Sequence, residues 1–159
     1  MSVQSELVYA SLNKLGLNFY SSEDKKKVKF TTGVNNGKLE CLLHINDEKD
    51  FLLFLSFLPI SVPVDKRAEV AEFITRANYG LKMGNFEMDF EDGEVRYRTM
   101  ANTDEDCINE KIVIHLIHTN ITTMDKYLKG IMAVVFGNTE PKKAIDDIEN
   151  KQLPNPSLN

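Results

Sequence analysis

The sequence predicts an α+β fold: one helix, a three-stranded antiparallel meander, a second helix, a two-stranded hairpin and closing helices. Three observations predict it. Apolar residues recur every three to four positions near the start, over 70–77 and again beyond residue 108. Between these stretches they alternate in twos, and Gly, Asn and Pro fall where the period changes. With 159 residues, 42% of them hydrophobic and 27% charged, the chain can bury a core without metal or disulfides. Residues 1–150 read as one domain, and 151–159, carrying Pro154 and Pro156, as a flexible tail.

Val8, Leu12 and Leu15 stand at i, i+4 and i+7 after Ser2 or Ser5, either of which suits a helix cap, and Gly16 provides a stop. Strands follow at 28–34, 39–45 and 51–58. Asn36-Gly37 lies between the first two, and both residues tolerate the positive φ of a type I′ hairpin turn. The polar run 46–50 makes the second turn. Phe51 to Val64 is the longest apolar concentration, but Ser56, Pro59, Ser61 and Pro63 break it short of the ~20 residues that span a bilayer as a helix. It reads as a buried strand, and no membrane insertion is expected.

Asp65 is placed to cap a helix that turns Val70, Phe73, Ile74 and Ala77 to the core and closes at Tyr79-Gly80. From Asn85 the period shortens to two. Phe86, Met88 and Phe90 alternate with Glu87 and Asp89, and Glu91-Asp92-Gly93 turns the chain into Val95–Arg98. Residues 104–119 carry two signals. Ile112, Val113 and Ile114 suit a strand, whereas Ile108, Ile112 and Leu116 repeat every four with acids at the front; helix is favoured and strand stays open. Asn120 matches a glycosylation sequon with Ile121 and Thr122, idle without export, and reads as a turn residue. Thr122 or Thr123 then caps a helix lined by Met124, Leu128, Ile131, Met132 and Val135 and ending at Gly137. A Pro141-led helical turn carries Ala144, Ile145 and Ile148.

Charge and motif content remove whole classes of function. With 24 acids against 19 bases the formal charge is -5, so no overall field attracts phosphates. The one local basic run, Lys25, Lys26, Lys27 and Lys29, lacks interleaved aromatics and reads as a solvated strand entrance; no nucleic-acid partner is expected. Cys41 and Cys107 form no disulfide framework, and residues 1–6 lack the basic-then-apolar order of a secretory signal, so a reducing cytoplasm is the expected location. Cys41 with His44 and His115 with His118 make a four-ligand zinc set on paper. Strand residues three apart point to opposite faces, so Cys41 and His44 diverge and no metal is assigned. The acids 104–106 beside Cys107 suppress its thiolate. The stretch 89–94 lacks the ligand spacing of a calcium loop and reads as a hairpin turn. No hydrolase elbow, zinc-protease helix or phosphate-binding glycine loop is present, and no catalytic or cofactor-binding residues are assigned.

What remains is surface for other proteins. A sheet flanked by a few helices has open edges and buries leftover apolar surface by dimerising or by accepting a segment of a protein partner. Phe86, Met88 and Phe90, with Met124, Tyr127 and Met132 on the closing helix, are the candidate interaction residues, and a homodimer is expected. A second reading is a regulatory domain that senses a small ligand in a pocket between sheet and helices, anchored by Tyr79, Arg96 or Arg98.

Three stretches carry a family resemblance: Glu72 to Gly80 (EFITRANYG), Gly84 to Asp89 (GNFEMD) and Asp92 to Arg98 (DGEVRYR). Asn120 to Gly137 looks like a closing helix of the same kind. Together with the order of elements, over about residues 5 to 148, they resemble the YbjN-domain family, whose fold is that of the type III secretion chaperones. The resemblance implies a non-enzymatic α+β domain, often dimeric, that binds protein segments or acts as an adaptor, and the family also bears the label of a sensory-transduction regulator. It supplies no catalytic residues, and a shared fold is only analogy for a shared function.

Overall fold

The computed structural model describes residues 2–104 and 108–149; Cys107 and the tail 151–159 lie outside them. Helix α1 (Val3–Lys14) begins at Ser2, whose hydroxyl accepts the Ser5 N–H at 3.1 Å, and ends before Gly16, which takes φ +68°. The strands are β1 (Phe19–Ser21), β2 (Lys27–Val34), β3 (Gly37–Asn46), β4 (Phe51–Phe57), β5 (Asn85–Met88) and β6 (Val95–Asn102). Helix α2 (Arg67–Gly80) separates β4 from β5, and α3 (Glu110–Gly137) and α4 (Pro141–Glu149) close the chain. The six strands form one antiparallel sheet in the order β1-β2-β3-β4-β6-β5. The expected α+β order of helix, meander, helix, hairpin and helices is therefore present.

Five details depart from the sequence reading. Strand β1 was not foreseen. It is three residues long, too short to display a period, and is held by pairing with Val28 to Phe30. The β2–β3 turn lies one residue earlier than Asn36-Gly37, since Val34 pairs with Gly37, and Asn36 does not take positive φ. Asp125 on α3 fixes this turn instead, accepting the N–H groups of Asn35 at 3.2 Å and Asn36 at 2.8 Å. Asp65 lies within a 3₁₀ turn (Val64–Lys66) that precedes α2 and does not cap the helix through its side chain. Strand β5 stops at Met88, so Phe90 leaves the alternating face and sits in the turn.

The fifth departure is the largest. Residues 110–137 form one 28-residue helix, capped by Asn109 through the Ile112 N–H at 3.1 Å, and Asn120 does not interrupt it. The strand alternative for this region is excluded. Neither Thr122 nor Thr123 begins a helix; the Thr122 hydroxyl donates back to the His118 carbonyl at 2.7 Å. Asn120 is fully buried. It accepts the Ser56 hydroxyl at 2.5 Å, and its amide donates to the carbonyls of Phe54 and Tyr97 and to Thr99 Oγ1 at 3.0–3.1 Å. A buried amide with all its groups partnered is compatible with an apolar interior, and here it pins α3 to β4 and β6.

The core lies between one face of the sheet and the helices. Val28 and Phe30 of β2, Leu39, Leu43 and Ile45 of β3, Leu52 and Phe54 of β4, and Val95 and Tyr97 of β6 pack against Leu12, Phe73, Leu116, Met124, Leu128 and Ile131. Gly130 lets the helical layer close. A Cβ there would stand 2.2 Å from Ile148 Cδ1 of α4 and 2.7 Å from the Phe73 ring of α2.

Candidate functional site

Strand residues alternate between faces, so the same pairing that sends Leu43 and Phe54 to the core sends their neighbours to the opposite side of the sheet. The register aligns these outer residues in rows. One row runs Thr31, Glu40, Phe57, Arg96, Glu87; the next Lys29, Leu42, Leu55, Arg98, Asn85; the third Lys27, His44, Leu53, Met100. Down the middle runs an apolar stripe. Leu42, Leu53 and Phe57 are half-buried by their neighbours, Leu55 is 5% exposed and Met100 is 59% exposed. Strand β4 is thus apolar on both faces, with Leu52 and Phe54 inward and Phe51, Leu53, Leu55 and Phe57 outward.

Charges frame the stripe. On the β5–β6 side, Glu87 receives the Arg96 Nε at 2.7 Å and lies 3.1 Å from the Arg98 guanidinium, and Arg96 also approaches Glu94 at 3.9 Å. Partial burial pulls the Glu87 carboxyl upward, but the Arg96 hydrogen bond and the nearby Arg98 charge outweigh it and hold the group below its ordinary range. On the β2–β3 side stand Lys27, Lys29 and Lys38, exposed and without an ion-pair partner among the described residues. A depression of about 840 Å³ lies over this half of the face, lined by Lys29 and Lys38, by Leu42 and Phe57, and by Asp92 and Glu94 of the hairpin turn.

The β5 edge is closed by a side chain. Asn78 of α2 accepts the Phe86 N–H at 2.7 Å and donates to the Phe86 carbonyl at 3.0 Å, doing for that residue what a further strand would do.

A family model described as "Putative bacterial sensory transduction regulator", YbjN, matches residues 4–132, most of the chain. The chain belongs to the YbjN family. The crystal structure of YbjN from E. coli, described as "a putative transcription regulator", is similar at a TM-score of 0.59 and 10% identity, over 81% of this chain and 90% of that one. At that identity the likeness establishes the fold alone. Weaker likenesses reach the HopA1–SchA chaperone–effector complex (TM-score 0.47, 12% identity, 82% of this chain and 97% of that one) and the ExsC–ExsE complex (0.45, 13%, 99% and 100%). At scores below 0.5 these two establish neither fold nor partner. No curated protein matches the sequence.

In this YbjN-family chain the residues singled out as interaction candidates lie mostly in the interior. Phe86, Met124 and Tyr127 are buried, Met88 and Met132 are half-buried against the core, and Phe90 is exposed at the hairpin turn. Phe86 and Tyr127 meet edge to face at 5.5 Å, and burial and then Glu149, which accepts the Tyr127 hydroxyl at 2.9 Å, push that phenol's pKa up. The three ligand anchors do not converge. Tyr79 is 97% exposed at the end of α2, lining a groove with Ile145 of α4, whereas Arg96 and Arg98 lie on the outer sheet face. Cys41 faces the core, where burial and then Glu40 push its thiol up to about 12, and His44 faces out. His115 and His118 are exposed on α3. Among the described residues no group of three or more His, Cys, Asp or Glu is arranged to hold a metal ion, and no helix is long and apolar enough to cross a membrane.

Reading the sequence missed the outer stripe of Leu42, Leu53, Leu55 and Phe57. A signal for it was present: Phe51–Phe57 is apolar at odd and even positions alike, the pattern of a strand covered on both faces.

Proposed function

We propose that this YbjN-family chain is a non-catalytic protein-binding adaptor of the cytoplasm, working as a homodimer, whose outer sheet face is its interaction surface. One observation carries the reading. Strand β4 has the composition of a strand buried on both sides, while all the core-packing helices lie on one side of it. A polypeptide is the occupant that this surface suits, because an apolar stripe about 20 Å long, bordered by charges on both sides, exceeds what a small metabolite covers. The titratable groups that the fold perturbs favour binding over catalysis. Cys41, Tyr97 and Tyr127 are buried in the core, where the two tyrosines pack against Phe86, and Glu87 is engaged with two arginines on the opposite face of the sheet, so the carboxylate does not meet the core groups in a cleft.

The test is photocrosslinking in the cell. A photoreactive phenylalanine analogue is placed at Leu53 on the outer face or, as a control, at Tyr79 on α2. Protein adducts are expected at position 53 and not at 79. Position 53 yielding no adduct, or no more than position 79, would overturn the reading.

A further inference from the structure

We propose that two copies of the chain pack their outer sheet faces together about a two-fold axis that runs along β4. This deepens the preceding proposal by naming an occupant for the face, and it rests on that face being an interaction surface.

The argument is the order of charges on the two strands beside β4. Strands β3 and β6 both run antiparallel to β4 and therefore parallel to each other, so their outer residues can be compared at equal height. Phe57 pairs with Glu40 on one side and Arg96 on the other. Two residues back stand Lys38 on β3 and Glu94 at the end of the hairpin turn just before β6; two residues on stand Leu42 and Arg98. Read in the same direction, β3 presents a base and then an acid, and the β6 side presents an acid and then a base. A two-fold axis along β4 exchanges these columns and preserves height. Lys38 of one copy then faces Glu94 of the other, and Glu40 faces Arg96. Each pair forms twice, because the interface is isologous.

Within one chain Lys38 and Glu40 form no ion pair among the described residues, and Glu94 reaches Arg96 only at 3.9 Å. Lys38 and Glu94 are therefore free to pair between copies, whereas Arg96, whose Nε is engaged by Glu87 at 2.7 Å, meets the partner's Glu40 only through its terminal guanidinium nitrogens. On the axis itself Leu53, Leu55 and Phe57 of the two copies stack on each other. The other axes parallel to the strands fit worse. One along β3 lays Lys27 and Lys29 over the partner's apolar β4, and one along β6 sets that same stripe against Asn85 and Glu87. With strands about 4.8 Å apart and rows about 6.8 Å apart, the three rows, the Asn46-Phe51-Asn102 row beyond them and Lys38 and Glu94 before them cover roughly 600 Å² per copy, somewhat below the ~800 Å² per partner of an ordinary specific interface.

The experiment uses two charge-exchanged variants of unchanged net charge, Lys38→Glu/Glu40→Lys and Glu94→Lys/Arg96→Glu, with mass followed by sedimentation and folding by circular dichroism. Wild type is expected to be dimeric at micromolar concentration. Each variant alone sets like charges together at four contacts and should dimerise at least about tenfold more weakly. Mixed, the two restore every opposite-charge pair and should form a heterodimer, a recovery that misfolding cannot imitate. Leu53→Asp supplies a readout independent of charge exchange and should also be monomeric. A monomeric wild type, or dimers that persist in both variants and in Leu53→Asp, would overturn the pairing. So would variants that fold and separate but fail to associate when mixed. If position 53 nonetheless crosslinks to a different protein, the binding reading stands and the face belongs to that partner.

Discussion

The two faces of the sheet are built from the same strands and obey different rules. On the inner face nearly every buried side chain is apolar, and the strands' buried hydroxyls, Ser56 and Thr99, are both bonded to Asn120. On the outer face an apolar stripe lies between charged columns, and its ion pairs are partly open to water. The inner face is committed to holding the fold. The outer face is only half committed, since its leucines are screened by neighbouring strands and not by a second layer. Opposite sides of one strand therefore answer to stability and to association separately, and substitutions at adjacent positions of β4 should pull the two apart.

The largest expected effect comes from such an adjacent pair. Phe54 is fully buried and stacks 5.9 Å from Phe30, so Phe54→Ala should destabilise the fold by about 4 kcal/mol, through lost transfer energy and an unfilled cavity. Leu53, one residue earlier and half-buried on the other face, should cost less than about 1 kcal/mol as Leu53→Ala. Urea titration at low protein concentration measures both without a contribution from self-association. Equal losses would show that the outer stripe is as much a part of the monomer's core as the inner one.

Next in size is Asn120→Ala, expected to cost about 3 kcal/mol, because it leaves the Ser56 hydroxyl without its acceptor and removes the amide that bonds α3 to the carbonyls of Phe54 on β4 and Tyr97 on β6 and to Thr99. A loss below about 1 kcal/mol would mean that water replaces the amide and that the clamp is dispensable. The prediction bears on the comparison because the clamp is confined to the inner face. Its removal should loosen α3 while leaving the outer charge pattern in place.

Asn120 also marks the limit of what the sequence discloses. The helices, the meander and the second hairpin were legible because their periods are set by local geometry: Val70, Phe73, Ile74 and Ala77 face the core as their spacing requires. A polar residue between Thr119 and Ile121 reads as a break, since local rules cannot supply the four partners, 21 to 66 residues distant, that make its burial favourable. That Phe86 and Tyr127 read as interaction candidates and lie buried in this fold has a related reason. An alternating strand announces that one face is apolar but not whether helices of the same chain will cover it. The outer stripe was legible in the double-faced run Phe51–Phe57, yet seeing it as surface needed the knowledge that every core-packing helix falls on one side.

The smallest expected effect separates the faces by pH. Glu87 is held below its ordinary value of 4.5 by Arg96 and Arg98 despite the opposing pull of burial, so the folded state binds its proton less readily than the unfolded chain does. The stabilisation from this group is complete above about pH 4.5 and disappears as the pH falls through the lowered folded value. Glu87→Gln removes that linkage, so its stability should fall less steeply with acid than that of wild type over this window. At neutral pH it should be less stable by under about 1 kcal/mol, because the carboxylate and both guanidinium groups are partly solvated and salt screens them. Urea midpoints at pH 7 and pH 3.5 give the comparison. Superimposable acid limbs for wild type and variant would mean that the Glu87 cluster is no more than a solvated surface group, whereas a large loss at pH 7 would make it a structural element of the same rank as the Asn120 clamp.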